Sequence, residues 1–285
     1  IYFSGSQMKS AIIVFPGTNR EKDMQMAIEH VSGRVPTLVW HKETTLPECD
    51  LMVLPGGFSY GDYLRCGAMA AHSPIMKEVI ARAQKGTRLL AVCNGFQMLV
   101  ETGLVPGALL HNRSLKFICK QVHLRAENTS TEFTRSFSPS QVFQVPIAHG
   151  EGNYFVDADG LKAMKDNDQI AFRYCTSDGQ ITEDANPNGS LENIAGVFNK
   201  EKTILGMMPH PEDSVVPHSN GHEGTPLFKS IAAIGLPTMF EVPITTADLP
   251  RRLGSKLSKM CIQPSGVHGK SEVESSVFVK SFPIF

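Results

Sequence analysis

The chain has 285 residues, 41% of them hydrophobic, and its 27 basic and 28 acidic residues leave a net charge of −1. That length can bury one large core, or a core with an appendage, and near-neutrality gives no electrostatic case for nucleic acid or an anionic membrane as partner. No apolar stretch approaches the roughly 20 residues needed to span a bilayer, and the six cysteines (49, 66, 93, 119, 175, 261), without paired spacing or C-x-x-C, argue against a disulfide scaffold or structural zinc and suit a reducing, cytoplasmic compartment.

In chain order, Ile1 to Gln7 lacks the charged and apolar regions of a secretion signal, and Met8 reads as the natural start after a non-native or unstructured leader over residues 1–7. Ser10 to Phe15 is an apolar strand closed by Pro16-Gly17-Thr18-Asn19. Met24, Ile28 and Val31 recur at helical spacing until Gly33, and Val35 to Trp40 and Asp50 to Leu54 read as strands. Ser73-Pro74 opens a helix carrying Ile75, Val79, Ile80 and Ala83. A strand ending at Cys93 leads into a helix closed at Gly103. Alternating strands and helices predict an α/β fold: a doubly wound, mostly parallel sheet with helices on both faces.

From Ala108 the pattern becomes strand-rich, with runs over Lys116–Leu124, Val142–Ile147, Gln169–Tyr174, Asn193–Val197 and Thr203–Met207. A last helix is punctuated by Thr225 as N-cap, Pro226 at N1 and Gly235 as stop, with Leu227, Ile231 and Ile234 facing inward. Residues 237–285 differ in kind, with scattered Pro, Ser and Lys and weak periodicity. They read as a disordered or surface-draped tail, although Val277, Val279 and Phe282 give it an apolar end suited to docking.

Two segments carry chemistry. Leu89-Leu90-Ala91-Val92 is an apolar run that stops at Cys93-Asn94-Gly95, the strand–elbow–helix arrangement of hydrolytic enzymes. A helix N-terminus beneath a thiol favours the thiolate, the form that attacks carbonyls. In Pro209-His210-Pro211-Glu212 the flanking prolines bias the backbone toward extension, which places His210 and Glu212 on one face. A carboxylate beside an imidazole fixes its tautomer, and the imidazole can then shuttle a proton to and from a thiol. His210, His218 and His222 with Cys66 raise a metal site, but Pro217, Asn220 and Gly221 put these histidines in a loop, and no metal is expected.

The Cys93-Asn94-Gly95-Phe96-Gln97 elbow and the Pro209–Glu212 segment resemble the class I (triad) glutamine amidotransferases, with a flavodoxin-like fold. The loop Pro55-Gly56-Gly57-Phe58-Ser59-Tyr60-Gly61-Asp62-Tyr63-Leu64-Arg65 and the segment Ala148-His149-Gly150-Glu151-Gly152 narrow the likeness to the glutaminase subunits of phosphoribosylformylglycinamidine synthases, in purine biosynthesis. The likeness spans residues 8–236 as one amidotransferase domain; Ala91 stands where such proteins usually have glycine.

The resemblance implies hydrolysis of the glutamine γ-amide through Cys93, His210 and Glu212, with the N–H groups of Gly57 and Asn94 meeting the oxyanion. Gly56, Phe58, Gln97, His149 and Gly150 would line the substrate site. Tyr60, Asp62 and Arg65 fit substrate contact, an interface or a solvated loop equally. No P-loop signature is present, so no cofactor is expected in this chain. ATP and Mg would belong to a large synthetase subunit, often joined by a small bridging one. The alternatives are an amidotransferase subunit serving another synthetase, or a non-catalytic regulatory module on the same fold. A stress-protein or peptidase-like enzyme would need an acid at the first strand's end, where Gly17-Thr18-Asn19 offers none.

Overall fold

Short apolar runs stopped by turn residues set the first elements. β1 (Ser10–Val14) runs into Pro16-Gly17, and α1 (Glu21–Ser32) closes at Gly33, whose φ of 67° is the left-handed conformation that commonly ends a helix. β2 (Thr37–Trp40), β3 (Leu51–Leu54), a short α2 (Cys66–Ala71), α3 (Pro74–Gln84), β4 (Arg88–Val92) and α4 (Asn94–Glu101) follow. β3 is apolar and buried at all four positions, as a parallel strand covered on both faces must be. The computed structural model describes residues 8–62, 66–215 and 221–234, with backbone only at Asp62 and Cys66. The leader over 1–7, the tail over 237–285, and Arg65, His218 and Gly235 lie outside the described residues.

The second half contains β5 (Ala108–Leu110), β6 (Ile118–Ala126), β7 (Val142–His149), β8 (Asn153–Phe155), α5 (Ala158–Asp166), β9 (Ile170–Cys175), β10 (Ile194–Phe198), β11 (Ile204–Met207) and α6 (Thr225–Ala232). The five strand runs expected between Lys116 and Met207 all form. The helix α5 buries Met164 and packs the partly buried Leu161 beside it against the core; it is capped by Asp157, whose Oδ1 accepts from the Gly160 N–H at 2.7 Å.

Two local readings shift. The cap of α6 is Gly224, and Thr225 is already helical; a Cβ at 224 would sit 2.0 Å from the Pro211 carbonyl oxygen, so only glycine fits there. On α3 the inward face carries Ile75, Met76, Val79 and Ala83, while Ile80 is half-buried at its margin.

Nine strands form one sheet in the order β2-β1-β3-β4-β11-β10-β9-β6-β7. The ladders from β2 to β11 are parallel, and those from β11 to β7 are antiparallel. The strand-rich second half is therefore an extension of the same sheet. β5 and β8 pair separately. The β1-to-β2 crossover moves one way along the sheet and the β3-to-β4 crossover the other, so right-handed connections put α1 and α3 on opposite faces. α6 joins α1, and α2 packs with α3 and α4. This arrangement collects the ends of β1, β3, β4 and β11 at one carboxyl edge, where open α/β sheets bind ligands.

Candidate active site

Cys93 follows the last residue of β4 and caps α4 at φ 51°, ψ −109°, a conformation that L-residues rarely adopt. Its carbonyl accepts from the Phe96 and Gln97 N–H groups, and its own N–H donates to the Met207 carbonyl at 2.8 Å. The tight turn needs small neighbours. A Cβ on Gly95 would lie 2.0 Å from the Leu54 carbonyl oxygen, and one on Gly206 2.2 Å from the Phe96 ring. Ala91, the fourth of the five residues of β4, is wholly buried and pairs with Leu54 of β3. The thiol is 5% exposed, and Sγ lies 3.6 Å from the Ala148 carbonyl oxygen.

β11 ends beside β4 and delivers His210. Its ring Nδ1 is 2.8 Å from Glu212 Oε1, with both side chains buried, and the ring is within hydrogen-bonding reach of the Cys93 thiol. The segment is less extended than its prolines suggest, because Pro211–Ser214 winds into a 3-10 turn. The carboxylate reaches the imidazole from within that turn, and the His210 N–H is pinned to the Pro146 carbonyl at 2.8 Å. Burial alone would push the imidazole pKa down; the Glu212 carboxylate, seconded by Cys93, outweighs it and raises the value to about 10.

The end of β3 supplies the facing wall. Gly56 leaves no room for a side chain: a Cβ would lie 2.7 Å from His210 Cε1 and 3.4 Å from Cys93 Cβ. Gly57 has φ 150°, and its Cβ would strike the backbone of Thr18 and Asn19, with which this loop forms an isolated bridge. Asn94, directly after Cys93, is the first residue of α4 and is buried. Its side chain holds the wall together. Oδ1 accepts from the Ser59 N–H at 3.3 Å, and Nδ2 donates to Gln97 Oε1 at 2.8 Å.

Gln97 in turn donates from Nε2 to the Glu151 carbonyl at 2.9 Å, so α4 is tied to the loop after β7. His149 is buried, its Nδ1 is 3.0 Å from Asn112 Oδ1, and burial followed by the nearby His210 lowers its pKa to about 4. The His149 carbonyl accepts from Asn112 Nδ2 at 2.8 Å and the Gly150 carbonyl from the Asn112 N–H at 2.9 Å, so one asparagine clamps this segment. Phe58 is 44% exposed at the rim and stacks on Phe117.

The structure thus brings together Cys93, His210, Glu212, Gly56, Gly57, Asn94, Gln97, His149 and Gly150, with Phe58 at the edge. Sequence reasoning missed Asn112 and the Pro146 and Ala148 carbonyls. A buried loop asparagine has no periodic signal, and a carbonyl has no sequence signature. Arg20, ion-paired with Asp213 and with Asp23, braces the 3-10 turn from the β1 side and was equally silent. Among the described residues no group of three or more His, Cys, Asp or Glu is placed to hold a metal.

A thiol on a strand-to-helix elbow, an imidazole–carboxylate pair and a glycine wall define the site of a thiol-dependent acyl-transfer enzyme. Residues 7–226 match the family described as the CobB/CobQ-like glutamine amidotransferase domain. Curated relatives include the "Phosphoribosylformylglycinamidine synthase subunit PurQ" of Rhodospirillum rubrum, 53% identical over 79% of this chain and 98% of its own length. The protein of the same description from Nitrobacter winogradskyi is 52% identical over 79% and 97%. Among solved structures, "Structure of PurLQS from Thermotoga maritima" aligns with a TM-score of 0.69 at 40% identity, covering 79% of this chain and 97% of that one. The chain belongs to the glutamine amidotransferase family and, within it, to the PurQ subunits of phosphoribosylformylglycinamidine synthase.

Proposed function

We propose that this chain hydrolyses the side-chain amide of glutamine at Cys93 and hands the ammonia to a separate synthetase, which uses it to convert phosphoribosylformylglycinamide into phosphoribosylformylglycinamidine. The observation that carries the reading is the buried Cys93–His210–Glu212 line at the carboxyl edge of the sheet. His210 takes the proton of the Cys93 thiol, the sulfur attacks the γ-carbonyl carbon, and the electron pair of the C=O moves onto oxygen. The N–H groups of Gly57 and Asn94 meet that oxyanion. His210, positively charged beside Glu212, gives its proton to the departing amide nitrogen, and the C–N bond breaks to leave ammonia and a γ-glutamyl thioester. Water, deprotonated by His210, then attacks the thioester, releasing glutamate and the thiol.

The main-chain N–H groups of His149 and Gly150, with Gln97 and Phe58 around them, form the proposed recess for the amino-acid end of glutamine. The proposed partners are a large synthetase subunit, which would hold ATP and Mg, and a small bridging subunit. The solved relative from Thermotoga maritima is titled as a PurLQS assembly. A cytoplasmic location is proposed with them, supported by free thiols at Cys49, Cys93, Cys119 and Cys175.

The test is synthesis by the reconstituted complex with ATP. The wild-type chain should support both glutamine- and ammonia-dependent product formation, and Cys93→Ala only the latter. Glutamine-dependent synthesis that survives Cys93→Ala would sink the reading.

A further inference from the structure

Beyond the glycine wall, the loop continues into Tyr60 and Gly61, both left-handed, at φ 56° and 78°. Glycine adopts this conformation freely, but a tyrosine in it is strained and persists only where its surroundings hold it. Three contacts do so. The Tyr60 N–H donates to the Pro16 carbonyl at 2.7 Å, the ring lies against Phe15 and edge-on to His41, and the hydroxyl leaves the loop for the far side. There it is 2.8 Å from Ser73 Oγ and 3.2 Å from His41 Nδ1, which are themselves 3.2 Å apart.

This closed cluster explains why Ser73, placed at the N-cap of α3, makes no capping bond with its hydroxyl. His41 and Ser73 are buried, and neither touches the thiol, the imidazole or the carboxylate described above. Tyr60 lies three residues beyond Gly57, and between them the Phe58 N–H is bonded to the Gly17 carbonyl and the Ser59 N–H to Asn94. The strand end fixes one side of this segment. The Tyr60 hydroxyl fixes the other.

We propose that Tyr60, through Ser73 and His41, is a positioning residue that sets the angle of the Gly57 N–H toward the developing oxyanion. The proposal rests on the glutaminase reading above. A donor misplaced by about 1 Å loses roughly a hundredfold in rate, because its worth depends on meeting the oxyanion rather than the ground-state carbonyl. The ring contacts and the Pro16 bond survive in Tyr60→Phe, so that variant removes the latch and leaves the packing.

The test compares wild type, Tyr60→Phe and Ser73→Ala in the full chain assembled with its synthetase partner. Measured quantities are glutaminase kcat and KM, thermal unfolding, and inhibition by the γ-aldehyde analogue of glutamine. The Cys93 thiol adds across that aldehyde's C=O without a leaving group, so its binding reports the oxyanion donors directly. Expected for Tyr60→Phe is a kcat lower by about a hundredfold, an aldehyde bound more weakly by a similar factor, and a glutamine KM within about twofold of wild type. Ser73→Ala should share the defect, and the double variant should be no worse than the single ones, since all break one unit. Unchanged kcat and aldehyde binding in Tyr60→Phe, with an active wild type, would overturn the latch alone. An inactive wild type would overturn the glutaminase reading itself. A fall in unfolding temperature with kcat and aldehyde affinity intact would show a purely structural role and also overturn the latch.

Discussion

His210 Nδ1 and Glu212 Oε1 stand 2.8 Å apart with both side chains shut away from solvent, and the second carboxylate oxygen has no hydrogen-bond partner among the described residues. A buried carboxylate so placed is tolerated because the imidazole beside it carries the opposite charge. The two should therefore be unequal under mutation. His210→Ala removes the proton carrier and is expected to lower kcat by about 10⁴–10⁶. Glu212→Gln keeps the geometry and should cost less, about 10²–10⁴. Steady-state glutaminase assays decide it, and near-full activity in His210→Ala would refute the assignment.

The same pair makes stability depend on alkaline pH. The His210 pKa rises from its ordinary 6.5 to about 10 in the folded chain, so its stabilisation is complete below 6.5 and is lost as pH climbs toward 10. The unfolding temperature should fall across that window, and the slope should flatten in Glu212→Gln. Equal slopes in the two proteins would contradict the ion pair.

His149 acts in the opposite window. Its pKa falls to about 4, so the unfolded chain takes up a proton near 6.5 that the folded chain refuses until about 4. Its contribution is whole above 6.5 and is lost as pH falls to 4; His41, also lowered by burial, adds in the same direction. Replacing His149 with glutamine, which cannot titrate, should reduce the acid loss measured by thermal unfolding between pH 6.5 and 4.

Two glycines near the thiol should fail differently. In Gly56→Ala the new methyl meets a movable imidazole edge at 2.7 Å. Activity should drop about a hundredfold or more while unfolding changes little. In Gly95→Ala the methyl meets the Leu54 backbone at 2.0 Å, and the β3–α4 packing must part. That variant is expected to lose several kcal/mol or fail to fold, as seen by circular dichroism.

Cys93 pays for its aim with a strained backbone at φ 51°, ψ −109°. Glycine relieves such strain, so Cys93→Gly should be more stable than Cys93→Ala by about 1–2 kcal/mol, the reverse of the usual order. Both should lose glutaminase activity and labelling by electrophilic glutamine analogues. Chemical denaturation of the two variants checks the order. A less stable glycine variant would mean that the turn stores no strain.

What the chain alone determined is local. Apolar period and turn chemistry placed β1, α1, β3, β4 and the strands from Ile118 to Met207 within a few residues, because each signal lies inside the element that it specifies. The chemistry of Cys93, His210 and Glu212 was legible for the same reason: each sits in a short segment whose neighbours are special. Tertiary structure decided the rest. β7 is the outermost strand, five places from β4 in the sheet order, yet its Ala148 carbonyl reaches Cys93 and its Pro146 carbonyl holds His210. That meeting depends on the accumulated twist and curl of the antiparallel half, which no single segment encodes. The Asn112 clamp and the Tyr60–Ser73–His41 cluster are likewise joined by hydrogen bonds between residues far apart in the chain. Their partners are chosen by packing, so a buried asparagine and a left-handed tyrosine read in isolation as ordinary loop residues.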